Sequence, residues 1–331
     1  MKNILPLIAA AAAAAAFLPG CSSTVLPEES GEKLIRTTVS IAGSPGTKST
    51  GVTQAMEENV TNLQIFVFDE AGATEYYLDA GSASTADIVS KEGAKKVVAV
   101  VNAPSLKDVK SSSALMTSPS LLSDNTTSSM VMTGEVDALL NDGGHITIPV
   151  TRIISKVLIR KITNSLKGDY ASKDFRVKDI YLINVAGDNT YAASSEPRIW
   201  YNKLGNGQND PSCRSVSFLA DPVDRTLAHN ASYTNDHSFY CYPNLISEES
   251  FESTWSPRHT MLVVDAQLDG KQTYYPIELP VIGRNKCIII NELVITRKGS
   301  DYPYKPVTDG SCNISIGVVD WDVILNTTET I

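Results

Sequence analysis

Two aspartates near the C-terminus, Asp320 and Asp322, flank Trp321. Paired carboxylates can divide general acid and general base roles when their surroundings push their pKa values apart. On an extended chain, residues two apart share a face, so both carboxylates point one way and Trp321 the other. That arrangement describes an exposed strand edge, and no catalytic motif accompanies it. There is no G-x-S-x-G elbow, no H-E-x-x-H pair and no phosphate-cradling Walker A loop. The chain has 4 His in 331 residues, which leaves little for a metal centre or a proton relay. Asn141-Asp142-Gly143-Gly144 lacks the spaced carboxylates of a calcium loop and reads as a hairpin turn. The expectation is a protein that is not an enzyme and takes no metal and no cofactor. The formal charge of −9, from 28 Lys+Arg against 37 Asp+Glu, argues against nucleic acid as a partner.

The chemistry legible in the chain is chemistry done to it. Lys2 and the apolar run at residues 4–18 form a secretory signal, and Leu18-Pro19-Gly20-Cys21 resembles a bacterial lipobox. In that motif the cysteine is lipidated and becomes the new N-terminus, so Cys21 is the candidate lipidation site. Loss of Lys2 takes the mature charge to −10. Residues 22–33 are a polar tether, and after it no continuous apolar run is long enough to span a bilayer. Cys213, Cys241, Cys287 and Cys312 remain. They allow three disulfide pairings, or four buried thiols, and the spacing does not choose.

The elements that would position a site are strands. Leu34–Gly43 alternates Ile35, Thr37, Val39 and Ile41 against Arg36, Thr38 and Ser40, a pattern with one apolar face. A small-residue loop at 44–51 carries Lys48. Asn62–Asp69, Met130–Glu135 and His145–Val150 read as strands. Lys95–Asn102 reads as a strand buried on both faces. Ser105–Asp124 is polar, with room for short helices. Thr151–Ile162 fits both a helix and a strand face, and its β-branched content favours strand. Asp174–Ala186, Met261–Leu268, Tyr274–Leu279, Lys286–Thr296 and Asn313–Leu325 continue the pattern, while residues 187–260 are long, polar and irregular. Many short strands and few helices predict an all-β chain of two tandem β-sandwich domains. The expected division is 1–21 signal, 22–33 tether, 34–165 first domain and 166–331 second domain.

A trypsin-like protease cutting after Lys48 would free Leu34–Gly43 from the rest of the chain. Its departure would leave an apolar groove with unpaired backbone groups, a template for another strand. Arg36 is the alternative cut site, although it lies inside the strand and would leave most of it in place.

The lipobox, the arrangement ending in Gly46-Thr47-Lys48, Asn62–Asp69, Lys95–Asn102, Thr151–Ile162, Gln272–Leu279, Gly283–Thr296 and Val318–Leu325 occur in an order that resembles the fimbrillins. These are the subunits of the type V pili of Bacteroidales. The resemblance implies sandwiches of transthyretin-like character and transport to the outer membrane as a lipoprotein. It implies release by an arginine- or lysine-directed maturation protease, which here must accept Lys48. It also implies polymerisation with other fimbrial subunits by strand exchange into a cell-surface fimbrium. Ile35, Val39 and Ile41 would belong to the displaced strand. Val318, Trp321, Val323 and Leu325 would belong to the donor segment, with Trp321, Val323 and Leu325 on one face. A tip adhesin binding a host or bacterial surface ligand is the close variant. A monomeric glycan-binding lipoprotein using Trp200, Tyr201 or Trp255 is the alternative of another class.

Overall fold

The alternation becomes strands along nearly the whole chain. The computed structural model describes residues 24–25, 33–43, 57, 59–192, 196–205, 208–209, 219–246, 255–305 and 312–320. In the first half these are β1 (Thr24–Val25), β2 (Leu34–Gly43), β3 (Leu63–Phe68), β4 (Thr74–Asp79), β5 (Thr85–Lys91) and β6 (Gly93–Val101). A short helix α1 (Ser112–Thr117), β7 (Pro119–Leu121), β8 (Met132–Leu140) and β9 (Gly144–Arg152) follow. All of these strands except β7, which pairs with Asp188–Thr190, form one continuous ladder in the order β1-β4-β3-β6-β8-β9-β2-β5. β8 and β9 touch through only two register pairs, Met132↔Arg152 and Thr133↔Thr151. The ladder folds over there, so β9-β2-β5 lies against β4-β3-β6-β8 as a sandwich.

The two faces of β3 and β6 explain their near-continuous apolar runs. Leu63, Ile65, Val67, Val97, Ala99 and Val101 point into the core they share with Ile35 and Val39 of β2. Phe66, Phe68, Val98 and Val100 point the other way, into a larger core continuous with the second half. The expectation that Lys95–Asn102 is covered on both sides therefore holds from Val97 onward.

The second half has two four-stranded sheets. One is β18-β10-β21-β22 and the other β17-β11-β19-β20. Their strands are β10 (Ser155–Asn164), β11 (Phe175–Ile183), β17 (Ala220–Thr226), β18 (Ser232–Cys241), β19 (Met261–Leu268), β20 (Lys271–Glu278), β21 (Lys286–Ile295) and β22 (Cys312–Asp320). Five short strands decorate them: β12 (Val185–Ala186), β13 (Asp188–Thr190), β14 (Trp200–Tyr201), β15 (Leu204–Gly205) and β16 (Gln208–Asn209).

Several expectations are corrected. Residues 187–260 contain β17 and β18, two full strands. The outer half of β18 is exposed and polar (Ser232 to Asp236), which removes the alternation signal there. β4 and β5, with sequences TEYYLD and TADIVSK, carry too few apolar residues to announce themselves. Asp174–Ala186, expected as a strand or a strand pair, is a pair, with Asn184 at φ 55° between β11 and β12. β10 pairs with β18 and β21, and so joins the second set of strands. β9 ends at Arg152 and β10 begins at Ser155.

The halves are built alike. Each begins with a strand that runs parallel to one neighbour and antiparallel to the other. For β2 the neighbours are β9 and β5. For β10 they are β21 and β18. In the second half β22 adds one strand to the far side of β21.

Candidate functional site

β2 is held from both sides. Leu34–Ser40 pairs antiparallel with Lys91–Thr85 of β5. Thr37–Gly43 pairs parallel with Gly144–Val150 of β9. Ile35, Thr37 and Val39 are buried, while Arg36 is exposed, as alternation requires. Ile41 is partly buried against the same core. Burying Ile35 and Val39 stabilises this docking by about 1.5–3 kcal/mol each. Beneath them lie Leu63, Ile65, Val67 and Ile88, all buried. Taking β2 away would open a ten-residue slot floored by these side chains and walled by the bare edges of β5 and β9.

Arg36 is poorly placed for cleavage in the folded chain. Its N–H donates to Asp142 Oδ1 at 3.1 Å and its carbonyl accepts from Gly143 N at 2.9 Å. Gly143 adopts φ 72° in the turn between β8 and β9, a conformation that suits glycine and aims its N–H at the strand. The side chain lies 3.7 Å from Asp87, and both are largely exposed. A protease needs an accessible extended backbone, and this one is engaged. Lys48 and Cys21 lie outside the described residues.

One acid braces the β5 wall of the slot, and a second pins the chain that follows the Lys48 loop. Among the described residues, β2 is the only ladder partner of β5. β5 has a second attachment through Glu75 of β4. The Glu75 carboxylate accepts from Ser90 Oγ at 3.0 Å, from Lys91 N at 2.7 Å and from Lys95 Nζ at 2.6 Å. Glu57 stands downstream of the Lys48 loop. It is buried, and its Oε1 accepts from Lys156 Nζ at 2.7 Å and from Tyr240 OH at 2.8 Å. Arg152 Nε donates to its carbonyl at 3.3 Å. Burial and the Glu57 carboxylate push the Tyr240 hydroxyl far above its usual pKa, so it stays a donor. The chain is thus pinned to both halves just after the loop.

β22 is an edge strand. It pairs antiparallel with β21 from Cys287↔Val319 to Ile295↔Cys312. Ile314 and Val319 pack against the core, whereas Ile316 and Val318 are exposed. Asp320 is ion-paired with Lys286, as an exposed edge carboxylate would be. Val318 therefore presents an apolar side chain to solvent. Trp321, Val323 and Leu325 lie outside the described residues.

Cys241 and Cys287 are free and buried. They face Ser155 and Lys156 across neighbouring ladders, so they point to opposite faces of one sheet and cannot bond to each other. Burial pushes the Cys241 thiol up to about 12 and Cys287 up to about 11, which keeps both protonated and inert. Cys213 and the side chain of Cys312 lie outside the described residues. Trp200 is buried and packs edge-on against Trp255, ring centroids 5.4 Å apart. The Trp255 indole N–H donates to Asn184 Oδ1 at 3.2 Å. Trp200 thus serves packing and offers no open platform for a sugar. Among the described residues there is no cluster of metal-donor side chains, and no helix is long and apolar enough to cross a membrane.

Residues 36–167 match the Major fimbrial subunit protein (FimA) family, a family of structural subunits and not of enzymes. A candidate cell adhesion protein from Bacteroides eggerthii superposes with a TM-score of 0.67 at 16% identity, covering 88% of this chain and 97% of its own. A fimbrilin from Porphyromonas gingivalis W83 superposes with a TM-score of 0.63 at 15% identity, covering 87% and 98%. The tip fimbrial protein Mfa3 from Porphyromonas gingivalis, with a C-terminal truncation, gives a TM-score of 0.55 at 12% identity, covering 87% and 100%. No curated protein sequence matches significantly. The resemblance to fimbrillins drawn from the sequence is borne out by the family match and by the fold.

Proposed function

We propose that this chain is a fimbrial adhesion subunit that polymerises by exchanging its first strand for the C-terminal strand of another copy. The observation that carries the proposal is the position of β2. It is an interior strand with a buried apolar face, and it precedes the loop that bears the basic residue Lys48. Cleavage after Lys48 leaves β2 held without a covalent link to the rest of the fold. Its loss opens one strand's width of slot, whose β5 wall Glu75 braces. The donor is the segment from β22 to the C-terminus, with Val318, Trp321, Val323 and Leu325 as the side chains that meet the acceptor. β22 adds to an edge that is complete without it, so it can leave at little cost to its own sandwich.

In this reading the precursor is a lipoprotein anchored at the outer membrane through Cys21. A lysine-accepting trypsin-like protease releases it into a cell-surface fimbrium whose partners are other fimbrial subunits. The engaged backbone of Arg36 on the β9 side favours Lys48 over it as the processing site.

The test is limited trypsin digestion of the chain lacking residues 1–21, followed by N-terminal sequencing, an unboiled SDS gel and electron microscopy. A new N-terminus at Ser49 together with an SDS-resistant ladder and filaments is the expected result. A product that is cut after Lys48 and stays monomeric would remove the strand-exchange reading and favour a tip adhesin.

A further inference from the structure

The outward side chains of β2 are Arg36, Thr38 and Ser40, and each meets a group on the walls of the slot. Arg36 lies 3.7 Å from one oxygen of Asp87 on β5. Thr38 Oγ1 donates to the other Asp87 oxygen at 2.8 Å, so the whole carboxylate turns toward β2. Ser40 Oγ shares a hydrogen bond with Thr85 Oγ1 at 3.1 Å and lies 3.4 Å from His145 Nε2. On the other wall the ladder to β9 begins only at Thr37. Ahead of it the turn between β8 and β9 takes over. Asp142 Oδ1 accepts from Arg36 N, Gly143 N donates to the Arg36 carbonyl, and the Asn141 carbonyl accepts from Thr37 Oγ1 at 2.9 Å. Two acids, Asp87 and Asp142, therefore stand on opposite walls at the Arg36 end. At the Ser40 end the partners are a hydroxyl and an imidazole.

When β2 leaves, it takes the Arg36 guanidinium, the Arg36 N–H and the Thr38 hydroxyl with it. Both carboxylates then face the empty slot. An incoming acid at the Arg36 position would meet both at close range, and like charges facing each other across strands are destabilising. The apolar floor alone tolerates a slide of two residues, because such a slide keeps every side chain on its face. The two acids at one end remove that tolerance.

We propose that Asp87 and Asp142 are specificity-determining residues of the slot. They admit a strand of a second copy whose residue at the Arg36 position is basic or neutral, and they reject an acidic one. The inference rests on the strand-exchange reading. With Trp321, Val323 and Leu325 turned inward, the outward residues of the donor are Asp320, Asp322, Ile324, Asn326 and Thr328. The acids keep Asp320 and Asp322 away from the Arg36 end, so the stretch after Asp322 occupies it. This sets how far the donor slides in.

The chain lacking residues 1–21 would be cut with trypsin, the trypsin inhibited, and labelled synthetic peptides of residues 33–43 offered to it. The peptides carry Arg36, Arg36→Gln or Arg36→Glu, and fluorescence anisotropy reads their entry. The apolar face of β2 holds all three in one register. The Arg36→Glu peptide should bind about tenfold more weakly than the parent at low salt, with Arg36→Gln between them. The difference should shrink at high salt, because the rim is exposed. In Asp87→Asn/Asp142→Asn, which keeps the acceptors and removes the charge, the Arg36→Glu peptide should recover to within about threefold of the parent. Asp269→Asn/Asp301→Asn makes the same change in net charge in the second half, and it should restore nothing. Both variants would first be shown to melt cooperatively and to be cut after Lys48. Equal entry of the Arg36 and Arg36→Glu peptides, or recovery in the Asp269→Asn/Asp301→Asn variant, would overturn the proposal and leave strand exchange standing. Entry of no peptide would overturn both.

Discussion

At the residue scale, the buried charges do most to hold the site, and they were the least visible in the sequence. Glu57 sits in a stretch that reads as ordinary polar loop. In the fold it is buried against Lys156, whose side chain is equally covered. Breaking a buried pair leaves an uncompensated charge, so Glu57→Gln or Lys156→Met should each cost about 3–5 kcal/mol. Urea denaturation would measure it. Replacing both together should cost less than the sum, because the residues share one interaction. Asp224 tests the surface electrostatics. It is exposed, and hydrogen bonds from Lys178 at 2.6 Å and from Arg176 at 2.9 and 2.5 Å hold its carboxyl down to about 2, from a usual 3.8. A carboxyl depressed in the folded state adds stability above its unfolded value, and the contribution fades as pH falls through the folded value. The link between β11 and β17 should therefore persist from neutral pH down to about pH 4 and weaken toward pH 2. NMR titration of the Asp224 side chain should show a midpoint near 2 that returns to the ordinary range in Arg176→Gln/Lys178→Gln. A midpoint already ordinary in the unaltered chain would contradict the assignment.

At the element scale, alternation found β2 because one of its faces is buried and the other is wet. The same logic failed for β4, β5 and the outer part of β18, where edge positions and polar side chains blur the period. Thr151–Ile162 was ambiguous for the opposite reason. Thr151 and Arg152 end β9, and from Ser155 the rest is β10, buried on both faces through Ile159, so neither period stands out. The element that bears on function is again β2. Ile35→Ala should lower the stability of the uncleaved chain by about 2–5 kcal/mol, since the slot cannot close over the missing side chain. In the cleaved polymer the same substitution should have no effect, because β2 is gone. Guanidinium melts of precursor and filament would compare the two. Equal destabilisation of both would mean that β2 stays in place after cleavage.

At the scale of the whole molecule, two similar sandwiches are joined by a core that runs from Phe66 and Phe68 into the second half. Under the proposed strand exchange, the joint would give donor and acceptor slot a fixed relation, which a fibre with a regular repeat needs. Truncation before Cys312 should leave a folded monomer that is still cut after Lys48 and never forms filaments. Its sandwich loses an edge strand that packs Ile314 and Val319 against the core while Ile316 and Val318 face solvent. Mixed with intact cleaved chains, it should cap growth and shorten the filaments. Electron microscopy of such mixtures reads this directly. Filaments of unchanged length would show that the donor lies elsewhere.

What the sequence determined by itself was the class of molecule. Composition and period-two alternation depend only on local chemistry, and they sufficed for an all-β chain without catalytic motifs. Tertiary structure alone decided the rest. Whether β2 lies between two strands or at an edge depends on Lys91 and Gly144, which are far away in the chain. Whether Glu57 is solvated or buried depends on Lys156 and Tyr240. Arg284 bridges the two halves only because Thr133 and Tyr191 meet it from the other side. Long-range pairing puts these residues together, and pairing between distant segments leaves no trace in the local period of either one.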